Sequence, residues 1–469
     1  MLKKEQPLKG KKVLMIGLGR LGGGVATVNW LLRQGARVTV TDHFSRKELA
    51  GSIRRVRGKA VYVLGGYKVK DITAADMVVV NPFFPLDAPH VAPAFAKGKD
   101  VQNEATLFFQ HFKKPTVAIT GTRGKTTTTA WTSHFLNTVK RSRVVGNSPT
   151  DQFLKMVDKG MDAAVIELPS FQLDLFRYVP CAPDVAVVTN VLVDHVSWHG
   201  SVAAYARAKS QIFLHQRAGQ HVVLNADNTW TPRFLKRPPA SRVWLFSSRG
   251  LKKSQDGVFY KDGAVWEQIG GRVTRAFAAP RFGQTYGAHN LENLLAAALG
   301  AHLMGAGWRE IGKAVKSLPQ PKFRQETVLK TPRLTVINDT TATSPDGGIA
   351  ALRRFAPGGR AVFIAGGTDR DLDFRGWAKE VRRLLQPNRL VLLSGSATDK
   401  MLMLLGGFGK RVAVHDTLEA CVKDALARAG RNRKGLLVFS PGAKSFEKFK
   451  NEYDRGERFN RIVKRLARR

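Results

Sequence analysis

The stretch GTRGKTTTT, Gly121 to Thr129, follows directly on the apolar run Thr116–Thr120, and no other part of the chain constrains the fold as strongly. Two glycines, a lysine and four consecutive threonines after a strand-like run form the pattern of a phosphate-binding loop, in which backbone amides at a helix start face anionic oxygens. Such a loop needs a strand behind it and a helix in front, and so implies an α/β architecture with a parallel sheet. The commoner pattern G-x-x-x-x-G-K-[ST] would put a glycine at position 119, where this chain has Ile119. The loop is therefore read as a shorter variant. Gly121 and Gly124 allow the amides to wrap phosphate oxygens, Lys125 reaches the terminal phosphates, and the Thr126 hydroxyl can hold Mg2+. Helix propensity does not favour four consecutive threonines, so a plain strand–turn–helix reading leaves them unexplained. The run DAAVIE ends on Glu167, a carboxylate suited to be a second metal ligand.

Strand-like runs alternate with helical patterns along the whole chain. The first block has strands near Lys12–Ile16, Arg37–Thr41 and Met77–Val80. The last block alternates Leu334–Ile337, a helix from Pro345, Ala361–Ala365, Leu390–Ser394, Arg411–His415 and Leu436–Ser440, and closes in a basic helix. At 469 residues the chain accommodates about three domains. FKKP (112–115) and SLPQPKF (317–323) are the expected linkers, giving domains over 1–112, 113–319 and 320–469.

Two further stretches bear on chemistry. GLGRLG, Gly17 to Gly22, follows the first strand, and Asp42 ends the next one. This is the dinucleotide fingerprint, with glycines for a tight turn and a diphosphate at a helix N-terminus. By itself it supports binding of a diphosphate without specifying NAD. NVLVDHVSWHG (190–200) leads into the helical SVAAYARAKSQIF, where His195 and Lys209 are the polar residues of interest.

The formal charge is +40, from 76 Lys plus Arg against 36 Asp plus Glu. That excess suggests an anionic partner, yet it is spread along the chain apart from short patches such as RNRK (431–434) and VKRLARR (463–469). A generally basic solvated surface is the favoured reading. Two cysteines, Cys181 and Cys421, have no metal-ligand spacing and suit a reducing compartment. The apolar run after the basic N-terminus is too short for a signal peptide, so a cytoplasmic protein without membrane insertion is expected.

Together the motifs resemble those of the Mur ligases of peptidoglycan synthesis, most closely the branch that adds glutamate. That family opens its ATP loop with G-T-x-G-K-T-T, which accounts for Ile119. ELPSFQL (167–173), DHVSWHG, YARAK, GAHNLENLLAAALG (287–300), FRQE (323–326), NDTTAT (338–343), GGTDRDLDF (366–374) and SPGAKSFEKFKNEYDRG (440–456) follow in the family's order over nearly the entire chain.

The resemblance implies three α/β domains: an N-terminal Rossmann-like UDP-binding domain, a central ATPase and a C-terminal Rossmann-like domain receiving the amino acid. It implies an ATP- and Mg2+-dependent monomer that adds glutamate, D-glutamate foremost, to UDP-N-acetylmuramoyl-L-alanine, with no specific nucleic-acid partner. Gly121, Thr122, Arg123, Gly124, Lys125, Thr126 and Thr127 would contact ATP together with Asn290, Asn293, Arg324 and Asp339. Lys125, Glu167, His195 and Lys209 would be catalytic, with Thr126, Glu167 and a carbamylated Lys209 holding Mg2+. Gly19, Arg20, Leu21, Asp42, Asn147 and His195 would face the UDP substrate, and Thr343, Arg370, Ser445 and Phe446 the glutamate.

There are departures. Pro169 stands where a serine is usual, NPFFP (81–85) replaces S-P-G-x-P in the uridine region, Thr341 stands where many members have lysine, and Glu452 where phenylalanine is frequent. Rival readings explain less. An NAD-dependent dehydrogenase leaves the loop at 121 unexplained, and a nucleic-acid-binding ATPase rests on net charge alone. A folylpolyglutamate synthase-like ligase is disfavoured by ELPSFQL and SPGAKSFEKF.

Overall fold

Runs of valine, isoleucine and alanine bounded by glycine and proline become the strands of three sheets. A computed structural model describes residues 8–20, 22–146, 151–287, 289–430 and 434–466. Leu21, Asn147 and parts of both basic patches lie outside the described residues. The chain divides into two units, residues 1–319 and 320–469.

The first unit holds two sheets. β1 (Lys12–Ile16), β2 (Arg37–Asp42), β3 (Val61–Leu64), β4 (Met77–Val80) and β5 (Asp100–Gln102) form an all-parallel sheet in the order β3-β2-β1-β4-β5. The order reverses between β1 and β4, the kind of switch point at which open α/β sheets bind ligands. The glycine turn sits there, opening the helix α1 (Gly23–Arg33).

The second sheet uses β6 (Thr116–Thr120), β7 (Ser142–Val145), β8 (Ala163–Glu167), β9 (Val185–Val188), β10 (His221–Asn225), β11 (Arg242–Ser247), β12 (Gly257–Lys261), β13 (Ala264–Ile269) and β14 (Arg272–Ala278). Its order is β14-β13-β12-β11-β10-β9-β6-β8-β7, parallel except for the β12–β14 meander. β6 lies between β8 and β9, so the phosphate loop leaves the sheet from an interior strand. Ahead of it runs α2 (Lys125–Leu136). Two further helices matter for the site, α3 (Val202–Leu214) and α4 (His289–His302).

Side chains of α2 (Trp131, Phe135, Leu136) and α4 (Leu294, Leu295, Leu299) share one apolar cluster with β6 and β9. Each such buried side chain contributes about 1.5–3 kcal/mol, which fixes the start of α2 firmly. Residues 112–115, expected as a linker, are packed instead. Phe112 is buried and stacks on Phe108 at 4.9 Å, and Lys114 Nζ donates to the Met161 carbonyl at 2.7 Å. One apolar cluster runs from Val13 and Val38 of the first sheet to Ala118 and Ile166 of the second.

The second unit holds β15 (Glu326–Lys330), β16 (Leu334–Asn338), β17 (Ala361–Gly366), β18 (Leu390–Leu393), β19 (Ala413–His415) and β20 (Gly435–Phe439), ordered β15-β16-β20-β17-β18-β19. Only the β15–β16 edge pair is antiparallel. β19 is shorter than the expected Arg411–His415 because residues Gly406–Arg411 form a 3₁₀ turn. The helix α5 (Pro345–Phe355) follows β16. The basic α6 (Glu452–Leu466) buries Phe459 and Val463 against the sheet core.

Candidate functional site

The phosphate loop is built by close approach. Gly121 and Gly124 have φ of 153° and 85°, and a Cβ would meet Thr189 Oγ1 at 1.8 Å on the first and Asn293 Oδ1 at 2.1 Å on the second. No other residue type fits either position without displacing a neighbour. Thr122 N donates to the Asn190 carbonyl at 2.9 Å and Arg123 N to Asn190 Oδ1 at 2.9 Å, which clamps the loop to the segment after β9. The threonine run now has a physical reason. Thr128 Oγ1 donates to Asn293 Oδ1 at 3.3 Å, Thr129 Oγ1 to the Lys125 carbonyl at 2.8 Å, and Thr132 Oγ1 to the Thr128 carbonyl at 2.8 Å. Asn293 Nδ2 donates in turn to Asn290 Oδ1 at 2.8 Å. The start of α2 is thereby tied to α4 through Asn293, which Asn290 in turn holds.

Lys125 folds back over the loop, its Nζ donating to the carbonyls of Gly121 at 3.0 Å and Thr122 at 3.3 Å. Lys209 reaches the same loop from α3. It is 1% exposed, donates to the Gly121 carbonyl at 2.8 Å and lies 4.4 Å from the centre of the Tyr205 ring. Burial, aided by the Lys125 charge, holds its amine well below the usual lysine range, against the opposing pull of Asp194 and Glu167. Glu167, buried at the end of β8, pairs in register with Ile119 of β6. Lys125, Thr126, Glu167 and Lys209 are thus gathered around one loop. Among the described residues no group of three or more His, Cys, Asp or Glu side chains is arranged to hold a metal.

The loop after β9 carries His195 in a left-handed conformation, φ 51°. Sequence reasoning missed its neighbour Asp194, which accepts from Arg123 Nη1 at 2.8 Å and lies 3.8 Å from His195 Nε2. It also missed His199, whose Nε2 is 2.9 Å from Ser170 Oγ and whose ring stacks on Phe171. Burial, with His195 beside it, pushes His199 down to about 4. Pro169 suits this turn, since its φ of −70° is what a proline ring imposes. The NPFFP segment has a partner here: Phe83 packs on Phe171, and its carbonyl accepts from Trp198 Nε1 at 3.3 Å. Beside them opens a cleft of about 690 Å³ lined by Leu86, Asp174, Arg177, Trp198, His199 and Arg207, within the size range of small-molecule sites.

At the first glycine turn, Asp42 is 1% exposed and accepts from Gly19 N and Phe44 N, both at 3.0 Å. Its carboxylate braces the turn's own backbone, which removes the free acid a ribose-binding dehydrogenase would need. Arg20 lies 4.2 Å over the Phe44 ring.

In the second unit, Asp339 spends its oxygens on Gln325 N at 3.1 Å and Ser440 Oγ at 2.9 Å, and burial pushes it up to about 7. Arg324 lies close enough to oppose that rise, and its flanking residues Phe323 and Gln325 have φ of 64° and 51°. Left-handed non-glycine residues cost about 1–3 kcal/mol each and gather at functional sites. Arg370 stands 4.9 Å over the exposed Phe446 ring. Arg455, 0% exposed, donates to the carbonyls of Thr340, Ala443 and Lys444 and so joins the NDTTAT and SPGAKSF loops.

A clamped glycine loop between strand and helix, with a buried lysine and a buried carboxylate beside it, gives this α/β protein the geometry of an anion site. Residues 119–301 match the Mur ligase middle domain and residues 11–103 the Mur ligase MurD-like N-terminal domain. A UDP-N-acetylmuramoylalanine--D-glutamate ligase from Roseiflexus sp. (strain RS-1) is 34% identical over 466 residues, 97% of this chain and 99% of that protein. A ligase of the same name from Geobacter metallireducens is 33% identical over 464 residues, 98% of each. The structure of UDP-N-acetylmuramoylalanyl-D-glutamyl-2,6-diaminopimelate--D-alanyl-D-alanyl ligase from Acinetobacter baumannii matches with a TM-score of 0.61 at 15% identity, over 92% of this chain and 90% of that one. MurF ligase from Thermotoga maritima in complex with ADP matches with a TM-score of 0.56 at 15% identity, over 98% and 100%. These structural likenesses are of fold alone. The chain belongs to the Mur ligase family.

Proposed function

We propose that this chain is an ATP-dependent amide ligase that joins D-glutamate to UDP-N-acetylmuramoyl-L-alanine in peptidoglycan precursor synthesis. The observation that carries this reading is the likeness to ligases of that name along 97% of the chain. The phosphate loop supplies its chemistry. The substrate carboxylate attacks the γ-phosphorus of ATP, the bond to ADP breaks, and an acyl phosphate forms. Lys125 and the loop amides stabilise charge spread over the transferring oxygens. The amine of glutamate then attacks the acyl carbon, phosphate leaves, and the amine loses a proton as the amide forms.

Mg2+ would be held by the Thr126 hydroxyl, Glu167 and a carbamate on Lys209, and when bound it would neutralise phosphate charge. Oxygen donors suit that ion, and an ammonium would oppose it. The depressed basicity of Lys209 supports the carbamate, because only a neutral amine adds to CO2, forming an N–C bond and releasing one proton. Residues 1–112 would take the UDP substrate, 113–319 ATP and 320–469 the amino acid. No helix among the described residues is long and apolar enough to cross a membrane.

The test is phosphate release with UDP-N-acetylmuramoyl-L-alanine across a panel of D- and L-amino acids. Release that depends on D-glutamate and matches amide formed is expected. Release stimulated by DNA or RNA instead would overturn the reading.

A further inference from the structure

The loop from Ser440 to Phe446 carries one charged residue to which the resemblance gives no role, Lys444. Its main chain is held on two sides. It forms a two-bond antiparallel bridge with Thr368, Thr368 N to Lys444 O at 3.0 Å and Lys444 N to Thr368 O at 3.1 Å. The same carbonyl accepts from the buried Arg455 guanidinium at 3.0 Å. Thr368 lies two residues before Arg370 on the GGTDRDLDF loop, so the bridge ties the loop of Lys444 to the loop of Arg370. With its backbone held there, the half-buried side chain spans to a third motif, where Nζ donates to Thr343 Oγ1 at 3.4 Å.

Two nearby observations point to a polar ligand. Thr341, where the resemblance leads one to expect a lysine, turns its hydroxyl back onto the Phe323 carbonyl at 2.8 Å, so that position supplies no cation. Ser445, next to Lys444, is 3% exposed and its hydroxyl has no hydrogen-bond partner among the described residues.

We propose that Lys444 is a specificity-determining cation of the amino-acid site, set by Thr343 to meet one carboxylate of a dicarboxylic amino acid while Arg370 meets the other. The inference rests on the ligase reading above. A dicarboxylic amino acid carries two anionic groups, and these loops offer two cations on separate, mutually bridged segments. A neutral amino acid would forgo one of the two charge-assisted hydrogen bonds, and that difference is what discriminates.

The experiment compares wild type with Lys444→Ala, Lys444→Met and Lys444→Arg, each with thermal melting as a check of folding. Because the Thr368 bridge uses only main-chain atoms, all three variants should fold. Wild type is first tested with D-glutamate, D-glutamine and D-alanine. If it uses no acidic amino acid, the ligase reading itself fails and the inference with it. If it uses D-glutamate, the Ala and Met variants should raise its KM by about tenfold or more, as expected for a lost hydrogen bond to a charged group. KM for ATP and for the UDP substrate should stay unchanged, and Lys444→Arg should recover most of the affinity. A Met variant with the wild-type KM for D-glutamate would mean that only the side chain's packing matters and would overturn the inference while leaving the ligase reading intact.

Discussion

Lys209 Nζ donates to the Gly121 carbonyl at 2.8 Å, so a buried amine from α3 rests on the first glycine of the phosphate loop. Burial and the neighbouring Lys125 charge keep that amine poorly basic. An amine so weakened has a larger neutral, nucleophilic fraction than an ordinary lysine, and the product of its reaction with CO2 is an anion where the reaction needs metal-binding oxygen.

Carbamylation of Lys209 is therefore expected. Protein equilibrated with ¹³C-bicarbonate should give a carbamate carbon resonance that Lys209→Ala lacks. That variant should be nearly inactive and partly rescued by short carboxylic acids entering the vacated space. Full activity in CO2-depleted buffer would refute the assignment.

Lys125→Ala should lose about 10²-fold or more in turnover, the scale of removing a donor from a developing anionic centre. The fold should survive, because the loop's shape rests on Gly121, Gly124 and the Asn190 clamp. Gly124→Ala should fail differently, since its Cβ would fall 2.1 Å from Asn293 Oδ1 and disturb the loop itself. Near-normal turnover in a folded Lys125→Ala protein would remove the ATP-site assignment.

Glu104 gives a pH signature. One oxygen accepts from Gln172 Nε2 at 2.8 Å, the other is buried without a partner among the described residues, and burial pushes the carboxyl up to about 7. The unfolded group ionises near 4.5. Between those values the folded state holds more protons than the unfolded state, so this group makes stability fall as pH rises, and its penalty is complete above about 7. Glu104→Gln should be more stable than wild type at pH 8 by about 1–3 kcal/mol, with the gap closing toward pH 4.5. Urea unfolding at several pH values measures this. A gap independent of pH would show that ionisation is not its cause.

The phosphate loop was legible in the sequence because its function demands glycines, a lysine and a hydroxyl within six neighbouring positions. The meander carried equally plain signals. Its turns, Asp262-Gly263 and Gly270-Gly271, all have positive φ, the two-residue hairpin signature. Long-range pairs left no such trace. Nothing near Arg123 announces that Asp194 will accept from it, and a lysine on an alanine-rich helix gives no sign that it will be buried. Asp42 shows the same limit. Its place at the end of β2 fits the ribose-binding pattern, but the carboxylate turns inward to Gly19 N. Lys444 was one basic residue among 76 until the Thr368 bridge singled it out.

The amino-acid pocket gives the last prediction. Arg370 lies 4.9 Å over the Phe446 ring, and both are exposed, so the guanidinium is oriented by the ring yet open to a ligand. A planar guanidinium can bind a carboxylate through two parallel hydrogen bonds, which a carboxamide cannot match. D-glutamine should therefore be a poor substrate beside D-glutamate. Arg370→Ala should raise KM for glutamate by about tenfold or more while leaving that for ATP nearly unchanged. Phe446→Ala should act in the same direction but more weakly, since an exposed cation–π contact contributes about 0.5–1 kcal/mol, or a few-fold in KM. Initial rates over a matrix of glutamate, glutamine and ATP concentrations measure all three effects. A wild-type enzyme that used a neutral amino acid as well as glutamate would refute the pocket assignment, because the arginine would then be selecting nothing.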